Sequence, residues 1–167
     1  MAAKDNSFDV VSEVDMQEVD NAWQQTKKEM VQRYDLKDCG AKLELDKSAG
    51  VFTLLAPSVF IADQVKDVLN TKLVRRSIDL KALSWGEPQG AAGMTIRISG
   101  KIISGIDKDT SGRINKDIRA LKLKNVKVAI EGEKLRVSSP SKDALQEVIG
   151  FLKEKDYGQP LQYHNYR

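Results

Sequence analysis

Phe8, Val10, Ser12 and Val14 alternate with Asp9, Val11, Glu13 and Asp15, and this two-residue period predicts a half-buried strand. Met16, Val19, Trp23, Met30 and Tyr34 then recur at helical steps, one apolar stripe of an amphipathic helix. The pattern carries that helix toward Asp38-Cys39-Gly40, where glycine offers a left-handed stop. Leu43 and Leu45 alternate with Lys42 and Glu44, Lys47 to Gly50 reads as a turn, and Val51 to Ala56 as the returning strand of a hairpin. Ser58 is a candidate N-cap for a second helix with Ile61, Val65, Val68, Leu69 and Leu73 inward. Leu80 to Trp85 gives a short strand. Gly86 to Gly93 is the only stretch rich in Gly and Pro and reads as a linker.

The order then repeats. Met94, Ile96, Ile98 and Gly100 mark a strand, and Ile114, Ile118 and Leu121 share one helical face. Val126 to Ile130 and Leu135 to Val137 form a hairpin about Gly132. Pro140-Ser141 opens a helix with Leu145, Val148, Ile149 and Leu152 inward, and Leu161 to Tyr166 is a last strand. At an offset of about 83 residues, Leu43 and Leu45 match Val126 and Val128, Phe52 and Leu54 match Leu135 and Val137, and Pro57-Ser58 matches Pro140-Ser141. The pattern predicts an α+β chain of two tandem βαββαβ units, each a ferredoxin-like sandwich with a four-stranded antiparallel sheet and two helices. The units are expected at 1–90 and 91–167. A single mixed domain is the alternative. A variant in which the first and last strands cross over, each completing the other half's sheet, satisfies the same pattern.

Composition narrows the class. The chain has 167 residues, 41% hydrophobic and 31% charged, which excludes a disordered or fibrous protein. A single cysteine, Cys39, allows no internal disulfide, and no apolar run is long enough for a membrane helix. Met1 to Asn6 is short and polar with no apolar stretch after it, so a cytoplasmic protein with no secretory signal is expected. The net charge of +3 is unevenly spread along the sequence. Residues 1–90 carry 12 basic and 15 acidic side chains, net −3, and residues 91–167 carry 15 and 9, net +6.

Most catalytic chemistry lacks its residues. One histidine, His164, and one cysteine build neither a zinc site nor a thiolate cluster, and no Gly-x-Ser-x-Gly elbow supports a triad. Gly93 to Lys101 has glycines too far apart for a phosphate loop, and Ile102 follows where Ser or Thr would hold magnesium. No catalytic residue, metal ligand or cofactor is assigned, and a non-enzymatic role is expected. Asp107-Lys108-Asp109-Thr110-Ser111-Gly112-Arg113-Ile114-Asn115 imitates the first part of a calcium loop. Its twelfth position is Ile118 instead of a bidentate Glu, and a helix start capped by Asp107 or Asp109 is the competing reading.

Cations are the remaining signal. Lys101, Lys108, Arg113, Lys116, Arg119, Lys122, Lys124 and Lys127 crowd the second half, and Lys116, Arg119 and Lys122 are spaced to share a helix face. Lys72, Arg75 and Arg76 form a smaller group at a helix end. Such faces attract phosphates without base specificity; a plain solvated face is the alternative. Aromatic platforms are few: Phe52 in the first hairpin, and Tyr163, His164 and Tyr166 at the end, of which at most one alternating pair is expected to be free to stack.

Ser7–Asp15 (Ser-Phe-Asp-Val-Val-Ser-Glu-Val-Asp), Arg33-Tyr34-Asp35, Gly105-Ile106-Asp107 and Gly158–Arg167 (Gly-Gln-Pro-Leu-Gln-Tyr-His-Asn-Tyr-Arg) resemble the YajQ family over nearly the whole chain. The resemblance implies two βαββαβ domains, similar in outline to RNA-recognition domains, in a bacterial cytoplasmic protein. It implies nucleotide binding, with nucleoside triphosphates, cyclic dinucleotides and RNA as the ligand classes. The family supplies no catalytic residues, and no ligand role is carried onto the matching Phe8, Asp9, Gln162, Asn165 and Arg167. Combined with the charge pattern, the expected site is Lys101, Arg113, Lys116, Arg119, Lys122, Lys124, Tyr163 and Arg167. The alternative is a protein-interaction adaptor, with a protein partner or self-association through an exposed sheet face or edge.

Overall fold

The computed structural model describes residues 5–167. The expectation for Met1 to Asn6 falls, up to Lys4, outside them. The elements are β1 (Asn6–Val11), α1 (Met16–Gln32), β2 (Lys42–Asp46), β3 (Val51–Ala56), α2 (Val59–Arg75), β4 (Leu83–Trp85), β5 (Gln89–Ala91), β6 (Thr95–Ile102), α3 (Lys108–Ala120), β7 (Lys127–Glu131), β8 (Lys134–Ser139), α4 (Lys142–Lys153) and β9 (Gln162–His164). They form an α+β fold with two antiparallel sheets and four helices, a tandem ferredoxin-like arrangement. Among the described residues no helix is long and apolar enough to cross a membrane.

The caps follow the repeat. Ser58 Oγ accepts from the Ile61 amide at 3.3 Å, and Ser141 Oγ accepts from the Ala144 amide at 3.2 Å, at equivalent helix starts. α1 ends earlier than its apolar stripe predicts. At Arg33 the backbone turns extended, Arg33 forks onto Asp35 at 2.7 and 2.9 Å, and Tyr34 is left 91% exposed.

Sheet pairing corrects the domain boundary. One sheet runs β7-β8-β1-β9 and the other β2-β3-β6-β4. In each, the strand that opens one half of the chain occupies an inner position of the other half's sheet, so β1 and β6 have exchanged places. β9 stays with its own half, which differs from the expected crossing of first and last strands. The compact units are Met1–Glu13 with Ser104–Arg167, and Val14–Ile103, and neither follows the expected 90/91 boundary. The Gly/Pro stretch is no linker either. β5 pairs with β6 at Thr95–Arg97 and β4 pairs with it at Gly100–Ile102. Gly86 donates to Ser99 O at 2.8 Å between them, so the stretch is an interruption in one edge strand and gives this sheet a fifth short strand.

Each unit buries its own core between sheet and helices. In the Val14–Ile103 unit, Phe52, Leu54 and Ile98 of the sheet meet Val65, Leu69 and Leu73 of α2. In the other, Phe8, Val10, Leu135 and Val137 meet Ile114, Ile118, Leu145 and Leu152. Each such side chain contributes roughly 1.5–3 kcal/mol on burial.

The opposite face of β1 presents Asp9, whose side chain is only 2% exposed. It accepts from Arg136 Nε at 3.1 Å and Asn165 Nδ2 at 2.9 Å, and Lys134 Nζ stands 3.6 Å away. Burial pushes its carboxyl up, but the Asn165 and Arg136 hydrogen bonds and the two cations outweigh burial and hold it below the usual carboxylate range. The stabilisation is therefore complete above the ordinary carboxylate pKa and lost as pH falls through the lower folded value. Asp9→Asn should cost about 2 kcal/mol near neutral pH, read by urea unfolding. The gap to the parent should close as pH falls below roughly 4. Equal stability at pH 7 would show that this cluster holds nothing.

Candidate basic surface of α3 and β7

Asp107 builds the start of α3. Its Oδ1 accepts from the Thr110 amide at 2.8 Å, a bond that holds the carboxyl below its usual range. The calcium-like segment is therefore helical from Lys108 onward. Ser111, which would be its fifth-position ligand, is fully buried, and Ile118 at the twelfth lies in the core. A helix sends alternate residues to different faces, so Asp107, Asp109 and Ser111 do not converge on one ion.

The core stripe of α3 leaves Lys116 and Arg119 on its exposed side. Lys122 follows in a left-handed conformation with φ of 54°, and Asn125 repeats it at 60°. These two turns bring Leu123 and Val126 back onto the core and lead into β7. The result is a groove of about 350 Å³ lined by Ile118, Arg119, Leu123, Val126, Lys127 and Val128. Among the described residues no carboxylate lies within ion-pair distance of Lys116, Arg119, Lys122, Lys124 or Lys127.

The other expected site residues have different surroundings. Arg113 lies over the Tyr157 ring, 5.3 Å from its centroid, and Tyr157 donates to Asp117 Oδ2 at 2.7 Å. Burial, reinforced by that acceptor, pushes the Tyr157 hydroxyl far up. Lys101 stands exposed on β6, in the unit that does not contain α3. Tyr163 packs inward, edge-on to Phe8 at 6.0 Å, and burial raises its hydroxyl. Phe52 is fully buried beside Trp85, so neither is a free stacking platform. Arg167 exchanges two backbone hydrogen bonds with Ser7, extending the pairing of β1 past β9. Lys127, which lines the groove, was visible in the sequence as one of the crowded cations. Its pairing with the apolar floor was not, because that floor comes from two turns with positive φ.

A family profile described as nucleotide-binding protein YajQ-like matches residues 6–167. The chain belongs to the YajQ-like family. A relative from Desulfitobacterium hafniense is 46% identical over 165 residues, covering 99% of each chain. One from Nocardia farcinica is 46% identical over 163 residues, covering 98% of this chain and 99% of that one. One from Magnetococcus marinus is 44% identical over 161 residues, covering 96% and 98%. All three are named as nucleotide-binding proteins.

The stretches that resemble the YajQ family turn out to hold one another. Asp9 meets Asn165, and Phe8 stacks with Tyr166 at 6.4 Å. Glu13 N donates to Gln162 Oε1 at 2.8 Å, and Gln159 Nε2 donates to Gly105 O at 2.8 Å. These residues fasten the central strand and the chain end of one unit, a scaffold role. Two outcomes follow for the surface. Calcium should leave the melting temperature of the full chain unchanged, and an upward shift would restore a calcium site at Asp107. The double variant K116A/R119A should stay within about 0.5 kcal/mol of the parent by urea unfolding, because neither cation has an ionic partner.

Proposed function

We propose that this protein is a non-enzymatic binder of a nucleotide or short RNA, held by the basic surface of α3 and β7. The observation that carries this is the groove in which Arg119 and Lys127 flank the apolar Leu123, Val126 and Val128. The cations can take phosphate oxygens and the floor can take a sugar or base edge. A volume of about 350 Å³ is at the low end of small-molecule sites, which span roughly 300–1,000 Å³. Lys116, Lys122 and Lys124 lie nearby in the chain without carboxylate partners and add charge. The nucleotide names of the relatives support the ligand class, with a nucleoside triphosphate or cyclic dinucleotide as the small ligands. Tyr163 and Lys101 are not part of the groove lining, and Tyr163 packs inward.

The support is local and not a property of a whole half. Counted by compact unit, Val14–Ile103 carries 13 basic and 12 acidic side chains, net +1. The other unit carries 14 and 12, net +2. A protein partner is the second reading, favoured by the free edge of β7, where Ile130 is 47% exposed. Lys127 on that edge works against strand addition.

Fluorescence anisotropy with a labelled nucleoside triphosphate, a cyclic dinucleotide and an oligoribonucleotide tests the reading. Affinity should fall steeply with salt, and R119A/K127A should weaken the preferred ligand about tenfold or more. Binding indifferent to salt and to both substitutions would refute it. Self-association by light scattering without any nucleotide binding would favour the adaptor.

A further inference from the structure

The basic group at the end of α2 remains unused by the α3–β7 reading. Its surroundings are a groove of about 540 Å³ between α1 and α2, inside the Val14–Ile103 unit. Glu18, Lys28 and Glu29 of α1 line it, with Lys72 and Arg75 of α2 and Arg76 at its C-cap. Both carboxylates are already engaged. Lys72 Nζ lies 2.9 Å from Glu29, and Arg76 Nη1 lies 3.1 Å from Glu18. Lys28 and Arg75 have no carboxylate within ion-pair distance among the described residues. Arg76 Nε is buried without an acceptor, so that guanidinium is only partly satisfied by the protein.

Cations in the last turn of a helix favour its dipole, and this alone accounts for Lys72 and Arg75 being on α2. It does not account for Lys28, which lies ahead of the last turn of α1 and lines the same concavity. Four cations facing two carboxylates leave the groove with two positive charges, presented from two rigid helices instead of a loop. Arginine offers paired donors that match phosphate oxygens. The spread of the cations over a groove of this size suits several linked phosphates better than one.

We propose that the α1–α2 groove is a second anion site, taking a pyrophosphate or triphosphate group, free or as the tail of a nucleotide. Lys28 and Arg75 supply the uncompensated charge. Arg76 gains its missing acceptor when its guanidinium turns toward a bound oxygen. The site is independent of the α3–β7 groove and stands or falls separately.

The test uses the full chain with inorganic tripolyphosphate as probe, followed by backbone amide NMR and calorimetry at low salt. Amide shifts should centre on the α1 and α2 residues around Lys28 and Arg75. K28A/R75A should weaken binding at least about tenfold, since charge-assisted bonds to phosphate are lost at helix positions that accept alanine. E29Q should strengthen binding, because it removes the carboxylate that competes for Lys72. R119A/K127A should leave this binding unchanged, which separates it from the other groove. A nucleoside triphosphate that binds tighter than tripolyphosphate identifies the nucleotide tail as the source, and equal binding identifies the free polyanion. Unchanged affinity in K28A/R75A, shifts confined to α3 and β7, or orthophosphate binding as tightly as tripolyphosphate would each overturn the proposal.

Discussion

Neither sheet is complete without the opening strand of the opposite half. β1 lies between β8 and β9, and β6 between β3 and the β4–β5 edge. An inner strand supplies hydrogen bonds on both sides and half of the sheet's apolar face, so each core waits on a strand distant in sequence. Phe8 and Val10 complete one core and Ile98 the other. Closing such long loops costs entropy before any contact rewards it, which makes the folding of the two units mutually dependent. A fragment ending near residue 90 holds α1, α2, β2, β3 and β4 but not β6, the inner strand that joins β3 to β4.

The same constraint explains why the residues of the family resemblance converge. Asp9 faces away from the core of Phe8 and Val10 yet is buried, on an inner strand where a carboxylate is costly unless paired. Arg136 from β8, Lys134 beside it and Asn165 from the chain end pair it together. Ser7 with Arg167, and Glu13 with Gln162, extend the closure beyond both ends of the β1–β9 pairing. The two ends of the chain thus hold each other because one supplies the inner strand β1 and the other pairs along it.

Charge was the sequence feature most altered by the fold. Along the chain, 1–90 and 91–167 differ by nine units of net charge, −3 against +6. Moving residues 1–13, with Asp5, Asp9 and Glu13 against Lys4, to one unit and β6 with Arg97 and Lys101 to the other brings the units to +2 and +1. What survives is local: Arg119 and Lys127 around an apolar floor, and Lys28 and Arg75 between two helices. Arg119 was legible because helical spacing places it opposite Ile114 and Ile118. The inward turn of Tyr163 was not, because alternation says only that two faces differ, not which one a core will cover.

Hydrophobic period and capping residues by themselves determined most of the elements: four helices, with serine starts for α2 and α4 and an aspartate start for α3, and the two hairpins. Those depend on neighbours a few residues away, and such contacts are written in spacing. Strand partners, unit boundaries, the interruption at Gly86 and the groove-forming turns at Lys122 and Asn125 were decided only in three dimensions. Backbone hydrogen bonds are chemically alike at every residue, and β1 and β6 carry the same alternation, so either fits either sheet locally. Only the packing of Phe8 against its own core, and of Asp9 against Arg136 and Asn165, distinguishes them, and those partners lie more than a hundred residues away in the chain.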